Sequence, residues 1–412
     1  MFDRFRAFFG DLPLLYAVVG LTLFGVAMIY SAGQVDVPSS IVAGAWRMQL
    51  TWLMLSIIAL AVAMRIEIRW LEWLAVPAYV AAILLLVLTL VIGTGAGTAA
   101  STRSWIRIGP VGVQPAQFAN IATVLMIGRV VGSRRDAPRR LADLWKPIGV
   151  VVLPMLLVLA QPDLGTAMVF GGVLLATLFW SGTPIALIFL LISPMLGLFL
   201  AFVPLWFYVY MTALIAFVYF YRLPLWESVA VLGGNLAAGT VAVQLWNSLE
   251  DYQRNRFIVF LDPYSDPRGA GYHHIQSKIA IGSGGLLGQG FTEGPQKRLA
   301  FLPEQHTDFI FAVIGEELGF LGAGMVILLY GFILVRLAHI AERQANPFAG
   351  IIVFGIFGAW FTHILVNVGM TVGVMPITGI PLPFLSYGGS FLLATFLALG
   401  VVQRVASERG GI

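Results

Sequence analysis

The sequence predicts an all-α fold, a polytopic bundle of membrane-spanning helices. Two observations carry that reading. Of 412 residues, 59% are hydrophobic and 11% charged, whereas a soluble domain carries about 25% charged residues. The apolar residues also come in uninterrupted runs of helix length rather than alternating ten-residue strands, which selects helices over a β-barrel.

Such runs fall near 12–31, 48–64, 71–93, 117–132, 147–160, 164–181, 184–204, 206–221, 225–247, 309–335, 349–372 and 386–403. These are twelve candidate spans. The first is too long for a signal-peptide core and has no small-residue cleavage site after it, so it is expected to remain as a span. The run at 147–160 is short enough to be half of a helix that breaks after Gln161. The lack of cysteine fits a protein with an exposed outer face.

Charge orients the bundle. With both termini cytoplasmic, 15 of the 24 basic residues lie inside, from Arg4 and Arg6 to Arg404 and Arg409. Nine lie outside, six of them in residues 248–308, and long loops report orientation poorly, so the comparison is 15 against three. The pI of 9.4 is then a topology signal rather than a nucleic-acid footprint.

The polar segments 94–116 and 248–308 are thereby expected outside. A loop of about sixty residues is rarely a mere connector. This one carries Trp246, Tyr252, Phe257, Phe260, Tyr264, Tyr272 and Phe291, too many aromatics for a disordered tail. Its run from Arg256 to Leu261, RFIVFL, fits an interfacial helix and a buried segment of a small cap equally well.

Several motifs have a plain reading beside a chemical one. The stretch GSGGLLGQG (Gly282–Gly290) lacks the Gly-Lys-Ser/Thr end of a P-loop, so a flexible turn is favoured over a phosphate cradle. His273, His274 and His306 have no metal-ligand spacing. Gln161 and Asp163 in QPDLGT lie between two short apolar runs, where helix capping by Asp163 competes with a functional role. Arg103, Trp105 and Arg107 combine an interface anchor with two cations able to grip an anionic headgroup. Pro376, Pro381 and Pro383 before SYGG force non-helical backbone at membrane depth, which must be buried in protein or line a wet cavity.

Carboxylates concentrate in LPEQHTDFIFAVIGEELG (Leu302–Gly319). Glu304 and Asp308 share a face at the mouth of a span, and Glu316 and Glu317 lie two turns deeper. A helix macrodipole accounts for Asp308 alone and not for the deeper pair. Asp308 is therefore read as a working carboxylate, and Glu316 and Glu317 as buried polar groups that hold the helix against its neighbours.

Together GAGYHHIQSKIAIGSGGLLGQG, FLPEQHTDFIFAVIGEELGFLG and PITGIPLPFLSYGGS resemble the SEDS proteins (RodA, FtsW and SpoVE), and SWIRIG, QPDLGTA and YQRNRFIVFLDPYSDPRGAGY extend the likeness over most of the chain. QSK and the short termini are more similar to RodA. The resemblance implies a peptidoglycan glycosyltransferase of the bacterial cytoplasmic (inner) membrane. It would polymerise lipid II and the nascent lipid-linked glycan into β-1,4 strands for elongation and shape, partnered by a class B penicillin-binding protein and no nucleic acid. The family's essential acid falls on Asp308. Arg103, Arg107 and Lys278 are expected to meet the leaving diphosphate, with Trp105, Glu304, His306 and Ser386 as further substrate contacts. A divalent cation (Mg or Mn) could share that task, and no organic cofactor is expected. A lipid II flippase and a non-catalytic scaffold are the competing classes; the one-sided polar concentration favours the enzyme.

Two departures from the family pattern stand out. Gln117 and Asn120 replace a glutamate and a lysine, so the charged pair is lost without stranding a charge. Residues 206–247 come before YQRNR, so ten family spans plus an added two-helix hairpin are expected.

Overall fold

Each of the twelve apolar runs folds as an α-helix in the computed structural model, which describes residues 9–36, 44–95, 103–109, 111–134, 136–248, 254, 258–267, 269, 271–302 and 304–408. Arg4, Arg6, Arg409, Tyr252, Arg256 and Phe257, invoked above, lie outside these. The helices are α1 (Leu12–Ala32), α2 (Ala45–Ala63), α3 (Ile68–Ile92), α4 (Pro115–Gly132), α5 (Trp145–Leu159), α6 (Leu164–Trp180), α7 (Ile185–Leu200), α8 (Pro204–Tyr221) and α9 (Leu225–Ser248). After the long loop come α10 (Tyr272–Ser283), the single turn α11 (Pro295–Arg298), α12 (Ile310–Glu342), α13 (Pro347–Val372) and α14 (Gly389–Ser407). Among the described residues the one addition to an all-α fold is a small antiparallel hairpin, β1 (Ile106–Ile108) and β2 (Val111–Val113), with Ile106 opposite Val113. Of the run 256–261, the described residues 258–261 are helical, with Val259 buried and Leu261 exposed.

Among the described residues, eight helical stretches are long and apolar enough to cross a membrane, and α6 and α7 are shorter apolar helices. The other two expected spans, α4 and α9, fall outside that set. For α4 the reason is its place: 12 of its 18 residues are buried, so it faces protein and can carry Gln117 and Asn120. The centre of the bundle is α13 and α14, with 72% and 78% of their apolar windows buried against 11% for α8. α13 packs on α6, α12 and α4, and α14 packs on α2.

Helix starts follow local chemistry. Asp11 caps α1, Asp163 caps α6 and Asn346 caps α13, and proline begins α4, α8 and α13. The expected broken helix at Gln161 is instead a hairpin: α5 and α6 pack side by side, joined by residues 160–163. Asp163 starts a new helix there, and Ala160 closes the old one. The α8–α9 pair is pinned to α7 by Asn235, whose Nδ2 donates to Ser193 Oγ (2.8 Å) while its Oδ1 accepts from Tyr210 OH (2.8 Å). Buried Glu227 at the start of α9 accepts from Leu141 N–H (3.2 Å) and Ala142 N–H (3.4 Å), anchoring the pair to the chain before α5.

α12 is not one straight helix. Gly319 (φ 64°, ψ −163°) interrupts it, and the glycine loop is spliced into the gap. Gln289 and Gly290 N–H donate to the carbonyls of Glu316 and Glu317 (3.0 Å each). Phe320 and Leu321 N–H donate in return to Gly285 and Leu286 carbonyls (2.9 and 3.2 Å). The loop thus replaces the hydrogen bonds that the kink removes. These amides are committed to the helix, so GSGGLLGQG is a splice and not a phosphate cradle. The close approach requires glycine: at Gly288 (φ 85°) a Cβ would lie 2.1 Å from the Glu317 carbonyl oxygen. Gly288→Ala is expected to destabilise the protein by about 1–3 kcal/mol, read as a lower thermal midpoint in detergent; an unchanged midpoint would show that the splice is dispensable.

At the opposite end of the bundle from the loop, Arg336 pairs with Asp11, and Gln403 clamps the Asp11 backbone (Asp11 N–H to Oε1 2.7 Å, Nε2 to Asp11 O 3.0 Å).

Candidate active site

The turn from Glu304 to Phe309 precedes α12, and the Glu304 carbonyl accepts from the N–H groups of Thr307 (3.1 Å) and Asp308 (3.2 Å). Glu304 holds a φ of 50°, a left-handed conformation uncommon outside glycine. Two struts fix this turn. Asn367 of α13 donates through Nδ2 to the Asp308 carbonyl (2.9 Å) and to the Ile380 carbonyl (2.6 Å). Ser386 Oγ donates to the Thr307 carbonyl (2.6 Å) and accepts from Leu382 N–H (2.9 Å). The proline-rich segment 373–388 is non-helical as expected, and its carbonyls are met from α12 and α13: Tyr330 OH donates to Pro383 O (2.7 Å), and His363 Nδ1 lies 3.0 Å from Pro381 O.

Asp308 itself is partly exposed. Burial pushes its carboxyl up to about 7, and the negative charges of Glu304 and then Asp163 add in the same direction. Gly379 (φ 71°) sits against it; a Cβ there would be 3.2 Å from Asp308 Oδ2, so the missing side chain leaves room at the carboxylate. His306 is buried, with its ring 5.3 Å from that of Tyr387, and His273 stacks on Phe309 at 6.1 Å. Burial holds both imidazoles below their usual range against the pull of Glu304, so they are neutral at pH 7.

The carboxylates of LPEQHTDFIFAVIGEELG separate. Asp308 and Glu304 are in the site together with Asp163, which caps α6 by accepting from Thr166 N–H (3.0 Å). Glu316 and Glu317 are fully buried away from it. Glu317 pairs with Lys297 (2.8 Å, both side chains 0% exposed) and accepts from Ser31 Oγ (2.6 Å). Glu316 accepts from Gln296 N–H (2.7 Å) and Lys297 N–H (3.3 Å). Gln161 is buried; its Nε2 donates to Leu86 O (3.2 Å) and its carbonyl accepts from Arg103 N–H (3.3 Å).

The cations do not pair with the base. Arg103 and Arg107 have exposed side chains beside the β-hairpin, where half-buried Trp105 pairs its backbone with Thr94. Lys278 is exposed on α10 and lies against Gly373 at the end of α13. Among the described residues no ion pair joins any of the three to Asp308. Nor, among the described residues, do three His, Asp or Glu side chains converge to hold a metal ion.

Sequence reasoning gave no role to Gln49, Gln114 or Gly379. Gln49 braces the SYGG turn from α2, its Nε2 donating to Ser386 O and its Oε1 accepting from Gly388 N–H (3.2 Å each). A polar residue inside an apolar run is the signal that could have found it. Gly379 leaves no such trace.

The fold and site together define a polytopic helical membrane protein with a carboxylate centre at one end of the bundle. The chain belongs to the cell cycle protein family of FtsW, RodA and SpoVE, which it matches over residues 12–213 and 206–410. It is 34% identical to the peptidoglycan glycosyltransferase RodA of Treponema pallidum, across 97% of this chain and 98% of that one. It is likewise 34% identical to the peptidoglycan glycosyltransferase MrdB of Escherichia coli K12, across 97% and 94%. A structure described as a peptidoglycan synthase complex that coordinates polymerization and crosslinking superposes with a TM-score of 0.72 at 30% identity, over 98% of this chain and 99% of the other. The rod shape determining protein RodA of Thermus thermophilus superposes at 0.63, with 26% identity and 98% of each chain covered.

Proposed function

We propose that this chain is a peptidoglycan glycosyltransferase that extends glycan strands from lipid II, with Asp308 as general base. The chain's relatives carry that activity in their names, and one observation carries the assignment of the base. Asp308 is the carboxylate whose environment brings it to about 7, the range in which a base is both ionised and proton-accepting at neutral pH.

The reaction is a single inverting displacement. Asp308 takes the proton of the lipid II GlcNAc 4-hydroxyl as that oxygen attacks the anomeric carbon of the growing chain. Undecaprenyl diphosphate leaves without an acid, and its charge is met by Arg103, Arg107 and Lys278. A divalent cation arriving on the diphosphate would add charge there. His306, Trp105 and Glu304 line the approach of the sugar, and Ser386 holds the turn.

In the same reading both termini are cytoplasmic, the site opens outward and residues 248–308 are a large extracytoplasmic loop. Residues 206–247 are an added hairpin. They form the α8–α9 pair, packed on α7. A crosslinking class B penicillin-binding protein is the partner, by analogy with the synthase complex.

The test is incubation of the purified protein with lipid II in detergent: glycan strands are expected, and none would overturn the proposal. The rate should fall as pH drops through about 7, because only ionised Asp308 accepts the proton. Glu304→Gln removes a negative neighbour that holds the Asp308 carboxyl up. The acid limb should move to lower pH, by about half to one unit. An unmoved limb would separate Glu304 from the base.

A further inference from the structure

Gln117 is linked to Asp163 through Gln114. That carboxylate accepts from Thr166 N–H at Oδ1 (3.0 Å), and at Oδ2 from Thr166 Oγ1 (2.9 Å) and Gln114 Nε2 (2.9 Å). An ionised carboxylate only accepts, so the amide end of Gln114 facing it is the NH2. The carbonyl end then faces α4, where Gln117 Nε2 donates to it (3.0 Å). Gln117 is buried and Gln114 half-buried. The backbone is held as well: Gln114 is the N-cap of α4, and its N–H donates to Ser390 Oγ (3.3 Å).

We propose that Gln117 and Gln114 form an amide relay that keeps Asp163 ionised beside Asp308, which makes both glutamines positioning residues for the carboxylate pair. Neither touches a reacting atom. Without a donor at 117, the Gln114 amide is free to turn. Its carbonyl oxygen then faces Asp163, a contact tolerated only when the aspartate carries a proton. A buried polar residue on α4 thereby sets the charge next to the base. The other titratable groups at this end include Glu304, on the turn with Asp308, the exposed cations Arg103, Arg107 and Lys278, Tyr387 beside His306, and His306, His273 and His274, whose imidazoles burial holds below their usual range. Burial pushes the Asp163 carboxyl up, opposed by the bonds from Thr166, Gln114 and Ser104, so loss of the Gln114 bond moves it further up.

The experiment uses full-length protein in detergent and the variant Gln117→Met, similar in size and unable to donate. With ¹³C-labelled aspartate, a protonated-carboxyl infrared band should grow at pH 7 in Gln117→Met and vanish in Gln117→Met/Asp163→Asn. In polymerisation assays the acid limb of Gln117→Met should move to lower pH by about one unit, because a protonated Asp163 no longer holds the Asp308 carboxyl up. Asp163→Asn should give the same shift, and Gln117→Met should add nothing to it. Gln114→Met removes the donor from the other side and should reproduce the band, which keeps the test open if Gln117→Met fails to fold. No new band, or a shift that adds fully to that of Asp163→Asn, overturns the relay. The relay rests on the reading of Asp308 as base only for the rate measurement. A band that appears without movement of the limb upholds the relay and counts against Asp308 as the base.

Discussion

Protein carrying Asp308→Asn is expected to fold, to stay soluble in detergent and to polymerise lipid II ~10²–10⁴-fold more slowly than the parent, the usual loss when a general base is removed. The substitution changes no volume and leaves the Asp308 carbonyl for Asn367. It removes a negative charge that sits beside Glu304 and Asp163. The stability sign follows from linkage. A carboxyl whose folded value lies above its ordinary one costs stability as pH rises through the interval between them, here from about 4 to about 7. The Asn variant lacks that cost, so its thermal midpoint at pH 7 or above should equal or exceed that of the parent while its activity is lost. That combination separates a working residue from a structural one. A variant with full polymerase activity refutes the base assignment, and one that is inactive because it is unfolded refutes the electrostatic argument.

The second large effect is expected at Lys297. Its ammonium is wholly buried, pairs with Glu317 at 2.8 Å, and donates to Thr292 O (3.0 Å) and Ser31 Oγ (3.2 Å). This one side chain ties α1, α11 and α12 together under the glycine splice. Lys297→Met leaves the Glu317 carboxylate buried with the Ser31 hydroxyl as its remaining side-chain partner, and breaking such a pair costs about 3–5 kcal/mol. The double variant Lys297→Met/Glu317→Leu removes both charges and should recover most of the loss, because a well-packed apolar replacement is often neutral. Unfolding followed by tryptophan fluorescence reports both. If Lys297→Met costs less than about 1 kcal/mol, or the double variant is worse than the single, the ion pair does not hold this corner.

Legibility in the sequence follows the range of the interaction. Helix positions were readable because lipid demands long apolar runs whatever the tertiary contacts, and the cap at Asp163 was readable because capping is local. The α5–α6 hairpin was misread as one broken helix, since a four-residue turn between two short apolar runs looks the same as a kink until packing is known. The glycine loop was ambiguous for the same reason: its amides are used by carbonyls of Glu316 and Glu317, some thirty residues later.

Within LPEQHTDFIFAVIGEELG the four carboxylates are adjacent in sequence but differ in environment. The sequence by itself determined a helical membrane protein with acid concentrated at the mouth of one span, and its motifs singled out Asp308. Only the tertiary structure decided which acids interact. Lys297 takes Glu317, the α11 amides take Glu316, and Asp163, 145 residues away in sequence from Asp308, comes close enough for its charge to raise that carboxyl. The physical reason is that the free energy of a buried charge depends on what surrounds it in space.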